Sequence, residues 1–287
     1  VENEDLVNVP NWLPLQFRIA GGPWFDLQRE QVEGYRSELD MRKGTLTRRF
    51  SWRNGEGRRT RVVQRRFVSR RDQHLAGLET QFTAENWSGD LEVRSGLDGR
   101  VVNAGVKRYR DLNGRHLRTL GHAQVDVETV DLVSETTQAR VRVALAARTR
   151  LLRDGEPAEV DRQLVAEPGF VAQQLTFRLV QERPATVEKI VALYTSRDRA
   201  IAESRHDARL ALAGADDFAT LLARHERAWL TAWDRFDIAM DSANEWTETV
   251  LHLHLFHLLQ TASPHTAHLD VGVPARGWHG EAYQGHI

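Results

Sequence analysis

From Asn11 to about Arg197 the chain is a succession of short runs in which apolar and polar residues partly alternate, with turn residues between them and no helical pattern. The runs are PLQFRIA, VEGYRSELD, GTLTRRFSW, RRTRVVQRRFVS, HLAGLETQFT and LEVRSGL, followed by VVNAGVKRYRDL, RHLRTLGHAQVDVETV, QARVRVALAARTRLL, FVAQQLTFRLV and TVEKIVALYTSRD. Gly21-Gly22-Pro23 and Asn54-Gly55 separate early runs. Asp98-Gly99, Asn113-Gly114 and Asp154-Gly155 sit where hairpin turns are wanted, because such pairs tolerate positive φ. About a dozen strands without crossover helices predict a large antiparallel sandwich rather than a parallel α/β fold.

After Asp198 the period changes. Arg199 to Ala213 is rich in alanine and charge and reads as a helix. A second helix starts after Asp216 or Asp217, either of which can cap it. Its residues Phe218, Leu221, Leu222, His225, Trp229, Ala232, Trp233 and Phe236 recur at helical spacing, and this apolar stripe reads as the docking face of a linker helix. Glu245 to Gln260 is apolar on nearly every side, which predicts a helix buried all round, the first inner helix of a helical domain. Short of such partners it should pack on the sandwich or self-associate. The organisation expected is a β-sandwich domain over 1–198, a helical linker over 199–241 and the start of a helical domain over 242–287.

With 41% hydrophobic and 28% charged residues the 287-residue chain is an ordinary globular mix. No apolar run reaches the roughly 20 residues that a bilayer span needs, and VENEDLVNVPNW lacks the features of a signal peptide. A cytoplasmic location and no membrane partner are therefore expected. The absence of cysteine excludes disulfides, a thiol nucleophile and a cysteine-ligated metal. Without a secretion signal, the acceptor pattern Asn86-Trp87-Ser88 does not argue for glycosylation.

The stretch Arg42 to Arg71 carries Arg48, Arg49, Arg58, Arg59, Arg61, Arg65, Arg66, Arg70 and Arg71 against the one acid Glu56. A phosphate or nucleic-acid face is one reading, since guanidinium forks grip phosphate oxygens. A net charge of −1 favours the other, outward strand positions paired with acids such as Asp126, Glu128 and Asp131, and no nucleic-acid partner. His252, His254 and His257, with His265 and His268, invite a metal reading, but His252 lies off to another side of the helix and no HExxH occurs. No metal site is expected. No phosphate-binding glycine loop, dinucleotide fingerprint or nucleophile elbow is present. The last fourteen residues, PARGWHGEAYQGHI, gather Arg276, Trp278, His279, Glu281, Tyr283 and His286 among three glycines. They read either as the rim of a sugar or phosphate site or as a loop packed on its own aromatics. The expectation is of a chain cut as it reaches a site.

ARGWHGEAYQGHI resembles the opening of the catalytic domain of glycoside hydrolase family 65, which reads approximately ARGxxGExYxGHxFWD. The matching residues are Ala275-Arg276-Gly277, Gly280-Glu281, Tyr283 and Gly285-His286. Upstream, NEDLVNVPNWLPLQFRI, the ELDMRKGTLTRR hairpin, RRFVSRRDQH, the H-x3-W-x3-W helix and LHLHLFHLLQTASPHT are also family-like. The resemblance implies a mainly β fold: an antiparallel β-supersandwich followed by linker helices and the first helix of a truncated (α/α)6 barrel. It implies an enzyme of the maltose, trehalose and kojibiose phosphorylase type. Such an enzyme cleaves an α-glucoside with inversion, by phosphorolysis to β-glucose 1-phosphate or by hydrolysis. Its partners would be the disaccharide and inorganic phosphate as co-substrate, without another cofactor, in a homo-oligomer. By the same resemblance Arg276, Tyr283 and His286 would bind substrate, while the general acid, the phosphate site and the Trp-Asp pair that holds glucose would lie beyond Ile287. Glu281 matches a family position that is not the acid, so no catalytic residue is expected here. Trp278 stands where other members have a smaller apolar residue. The alternative expectation is a non-catalytic carbohydrate-binding or oligomerisation β-sandwich.

Overall fold

A computed structural model describes residues 7–103, 114–199, 201–240 and 245–266. The strands are β1 (Leu15–Ile19), β2 (Val32–Asp40), β3 (Thr45–Arg53), β4 (Arg59–Val68), β5 (Leu75–Ala84), β6 (Gly89–Asp98), β7 (Leu117–Gln124), β8 (Thr129–Thr136), β9 (Arg142–Arg153), β10 (Glu156–Ala158), β11 (Asp161–Glu167), β12 (Phe170–Leu179) and β13 (Ala185–Thr195). Helices α1 (Ser204–Ala213), α2 (Phe218–Phe236) and α3 (Glu245–Thr261) follow, then a short 3-10 turn, Pro264–Thr266. All pairings are antiparallel, in a small sheet ordered β1-β6-β12-β11 and a large one ordered β2-β3-β4-β5-β13-β9-β8-β7, with β10 beside β9. The predicted antiparallel sandwich followed by helices is what forms. No helix among the described residues is long and apolar enough to cross a membrane.

The two sheets pack face to face through the alternating sides of their strands. In β12, Val171, Leu175, Phe177 and Leu179 point inward against Leu91, Val93 and Leu97 of β6 and residues of the large sheet. The central strands β9 and β13 are covered on both sides. Leu145, Ala147 and Val191 face the small sheet, while Ala144, Ala146, Ile190 and Ala192 meet Ala208 and Leu212 of α1 and Leu221 of α2. Alanines on that outer side let a helix sit close to the sheet. Gly77 serves the same purpose for α2, since an added Cβ would lie 2.9 Å from Phe218.

Local chemistry fixes the helix ends. Glu203 caps α1, accepting the amide of His206 at 2.8 Å, so the predicted start at Arg199 falls a few residues early. Asp217 caps α2 through the amide of Thr220 at 2.7 Å. Those bonds hold its carboxyl below the usual range. At the end of α1, Arg148 donates to the carbonyls of Leu212, Ala215 and Asp216, which ties the last turn and the residues after it to β9.

Several expectations are corrected. RHLRTLGHAQVDVETV is not one strand: it turns around residues 125–128 between β7 and β8. Asp154 and Gly155 form the predicted hairpin turn, with φ of 52° and 86°. Asp98-Gly99 does not form one, because β6 pairs with β1 and β12 and not with the next strand. Asn113 and most of VVNAGVKRYRDL lie outside the described residues. The arginine-rich strands do pair outward, but with different acids: Arg53 and Arg59 meet Glu33, Arg59 also meets Glu85, and Arg65 meets Glu79. Asp131, 1% exposed, is gripped instead by Arg205 and Arg209 of α1, and Glu128 by Arg150 and Arg162. Phe236 is 55% exposed, since α2 ends at that residue beyond the packed stripe. The third helix is not buried all round: Phe256 and Leu259 are buried, while Leu258 and Trp246 are 52% and 71% exposed.

Candidate functional site

Three stretches far apart in sequence meet where the helices leave the sandwich. One is the β2–β3 turn, closed when Asp40 accepts the amide of Lys43 at 3.0 Å. Another is the loop after β4, where Ser69 accepts the amide of Asp72 at 2.9 Å. The third is the inner stripe of α2. Gly44 ends the first turn with φ of 63°, and a Cβ there would overlap the Trp229 indole.

His225 joins all three. Its Nδ1 accepts the backbone N–H of Arg70 at 3.0 Å, so Nε2 carries the proton and donates to Gly44 O at 3.1 Å. Burial pushes the imidazole pKa down to about 4, so the ring is neutral near pH 7. Both nitrogens are committed to backbone, which makes it a strut rather than a proton carrier. Trp233 Nε1 donates to Met41 O at 2.8 Å on the same side.

Arg70 extends the seam to α3. Its guanidinium lies 4.6 Å over the Trp229 ring and Nη1 donates to Leu259 O at 2.6 Å. That carbonyl lies in the last turn of α3, where the helix supplies no amide of its own, so Arg70 caps the helix from the sandwich. Trp229 stacks on Phe256 at 4.7 Å, and Met41, Trp233, Leu255 and Leu259 complete the small core. His265 Nε2 lies 3.1 Å from Arg70 O, which ties down the 3-10 turn. Asp237 bonds Arg42 at 3.0 Å and stands 2.9 Å from His252 Nε2. The sandwich thus holds the carboxyl end of α3 at the point from which the chain runs on to residue 267.

Arg70→Ala is expected to lower stability by about 2 kcal/mol, mostly through the charge-assisted bond to Leu259. Amide exchange should accelerate more in the last turn of α3 than in β13, which hydrogen-exchange mass spectrometry would read. Equal acceleration in both would contradict this role.

The site candidates read from the sequence divide sharply. Arg276, Tyr283 and His286, like Trp278, Glu281 and His268, lie outside the described residues. Of the helix histidines, His252 faces Asp237, His254 is exposed and His257 sits edge-on beside Phe256. No group of three metal-binding side chains occurs among the described residues. Arg70 was read from the sequence only as one member of the basic run, and Gly44 was not singled out. The signal was present, however, because ELDMRKGTLTRR, RRFVSRRDQH and the H-x3-W-x3-W helix are the three stretches that converge here.

Residues 1–232 match the model of the glycosyl hydrolase family 65 N-terminal domain, and residues 252–287 that of the family's central catalytic domain. An uncharacterised glycosyl hydrolase of Mycobacterium tuberculosis is 42% identical over 287 residues, all of this chain and 22% of that protein. Kojibiose phosphorylase of Halothermothrix orenii is 25% identical over all of this chain and 36% of its own length. Alpha,alpha-trehalose phosphorylase of Thermoanaerobacter brockii is 25% identical over 92% of this chain and 34% of its own. The chain therefore spans about a fifth to about a third of these relatives. A solved human-microbiome structure described as that of a kojibiose phosphorylase superposes with a TM-score of 0.78 at 18% identity, over 98% of this chain and 35% of that one. At that identity the likeness concerns the fold.

Proposed function

The chain belongs to glycosyl hydrolase family 65, and on that premise we propose that it is the sandwich, linker and catalytic-domain opening of an enzyme acting on α-glucosidic disaccharides. What carries this reading is the succession of the two family domains along one chain, with the α2–α3 seam between them. The phosphorylase relatives favour kojibiose or trehalose as substrate and phosphate as the attacking group. An inverting hydrolase needs an acid for the leaving oxygen and a base for water. Phosphate is already an anion, so its attack needs the acid alone, and the product is β-glucose 1-phosphate.

In this proposal the sandwich covers 1–198, the linker 199–241 and the catalytic domain opens at 242. Arg276, Tyr283 and His286 line or back the glucose subsite. In this reading none of the 287 residues serves as the general acid, and the 287 residues alone are inactive. The enzyme works in the cytoplasm, without a cofactor, as a homo-oligomer that covers apolar residues such as Trp246 and Leu258.

The test compares this chain with the same chain carried through a complete catalytic domain, each given phosphate and kojibiose, trehalose or maltose. Glucose 1-phosphate is expected from the longer chain only. Turnover by the 287-residue chain, or specific sugar binding by the isolated sandwich without turnover in the longer chain, would defeat the proposal.

A further inference from the structure

Between residues 42 and 71, Arg42, Arg53, Arg58, Arg59, Arg65 and Arg70 meet acids or carbonyls on the outer side of the large sheet or at its turns, and Arg49, Arg61 and Arg71 are exposed to solvent. Arg48 and Arg66 are placed differently. The β3–β4 register pairs Arg48 with Gln64 and Leu46 with Arg66, which puts both arginines on the face that carries Phe50 and Val62 into the core. They are diagonal neighbours, about 7 Å apart at the backbone. Both are half-buried, and neither forms an ion pair with any described residue. Arg48 Nε is buried with no acceptor. Burial and the nearby Arg48 charge both lower the Arg66 pKa, while Tyr35 opposes them.

The surroundings are open and polar on one side. Ser37 lies opposite Arg48 in the β2–β3 register, and Gln64 bonds Thr80 at 3.2 Å. Leu39 and Val68, farther along this face, are exposed, so the small sheet does not cover it there. Two like charges held side by side without a counterion are costly unless an anion joins them.

We propose that Arg48 and Arg66 form a binding site for a small phosphate-bearing anion, inorganic phosphate or a phosphate monoester, on the inner face of β3 and β4. Two guanidinium forks match the oxygens of one phosphate group, and its charge of about −1.5 to −2 at neutral pH matches theirs. A single carboxylate would neutralise only half. The site uses none of the residues assigned to the glucose subsite, and the proposal stands whether phosphate or water attacks the sugar.

The probe is inorganic phosphate, then glycerol 3-phosphate, titrated into the 287-residue chain and followed by thermal shift. Sodium chloride at matched ionic strength and sodium acetate are the controls. Phosphate and the monoester are expected to stabilise beyond both controls. Arg48→Gln and Arg66→Gln should each weaken phosphate about tenfold or more. In phosphate-free buffer each variant should be at least as stable as the parent, because the remaining guanidinium no longer faces a like charge. Arg48→Lys with Arg66→Lys, which keeps both charges but loses the forks, should weaken phosphate severalfold. Equal phosphate stabilisation in parent and variants, no shift beyond chloride, or acetate acting as well as phosphate would each overturn the proposal. So would a phosphate-free loss of stability in both glutamine variants, which would mark the pair as structural.

Discussion

Raising the pH from 7 toward 9.5 is expected to stabilise this chain, because buried Lys189 gives up its proton in the folded state above about pH 7 while the unfolded chain still holds it. The side chain is 0% exposed between the two sheets, and Nζ donates to Gly96 O at 2.6 Å and Pro14 O at 3.2 Å. Burial lowers its pKa from 10.5 to about 7. The sign follows from proton counts. The unfolded chain keeps this proton up to about pH 10.5, while the folded chain releases it above about 7. Between those values the unfolded state binds more protons, so stability rises with pH, by up to about 1.4 kcal/mol per unit. Below pH 7 both states are protonated and the burial penalty is present in full. The neutral amine still has two hydrogens for its two carbonyls. Urea unfolding at pH 7 and 9.5 should differ by about 3 kcal/mol, and Lys189→Met should remove the difference. A parent curve as flat as that of Lys189→Met would refute this.

Gly44→Val should be the most damaging single change in the seam, costing about 3–4 kcal/mol. A β-branched residue at φ of 63° is strained by about 1–2 kcal/mol. Its Cβ would also overlap the Trp229 indole, which cannot retreat because Phe256 stacks on one side and Arg70 lies against the ring. Overpacking of that kind adds about 1–3 kcal/mol. Gly57→Val isolates the two effects, since Gly57 has φ of 78° with nothing within 4 Å of an added Cβ. Urea midpoints should fall much further for the Gly44 variant, with a red shift of tryptophan emission in that variant alone. Equal losses would mean that only backbone strain matters.

FVAQQLTFRLV is read almost to its ends because Val171, Leu175, Phe177 and Leu179 carry one side into the core. VEGYRSELD is read in full although nearly every one of its residues is exposed. β11, DRQLVAE, is a largely exposed edge strand with no apolar side to mark it. Lys189 is hidden for the opposite reason. In TVEKIVALYT one face meets a sheet and the other two helices, so the rule that puts a lysine outside has no outside to use. The partners of Asp131 are equally hidden, because many arginines compete on paper and only the docking of α1 brings Arg205 and Arg209 to it. The α2 stripe was legible because Trp229 and Trp233 share one side of a helix, whereas α3 is apolar on too many sides to single one out. The seam itself needed the fold: nothing in the spacing of Gly44, Arg70 and His225 places them within hydrogen-bond reach.

We propose that this sandwich and seam open the catalytic domain of an inverting α-glucoside phosphorylase. The most direct measurement is the anomeric form of the product when the chain, carried through a complete catalytic domain, is given kojibiose or trehalose with phosphate and followed by proton and phosphorus NMR. β-Glucose 1-phosphate appearing first, and only with phosphate present, is the predicted result. α-Glucose 1-phosphate, or no cleavage of any α-glucoside with or without phosphate, would contradict the claim.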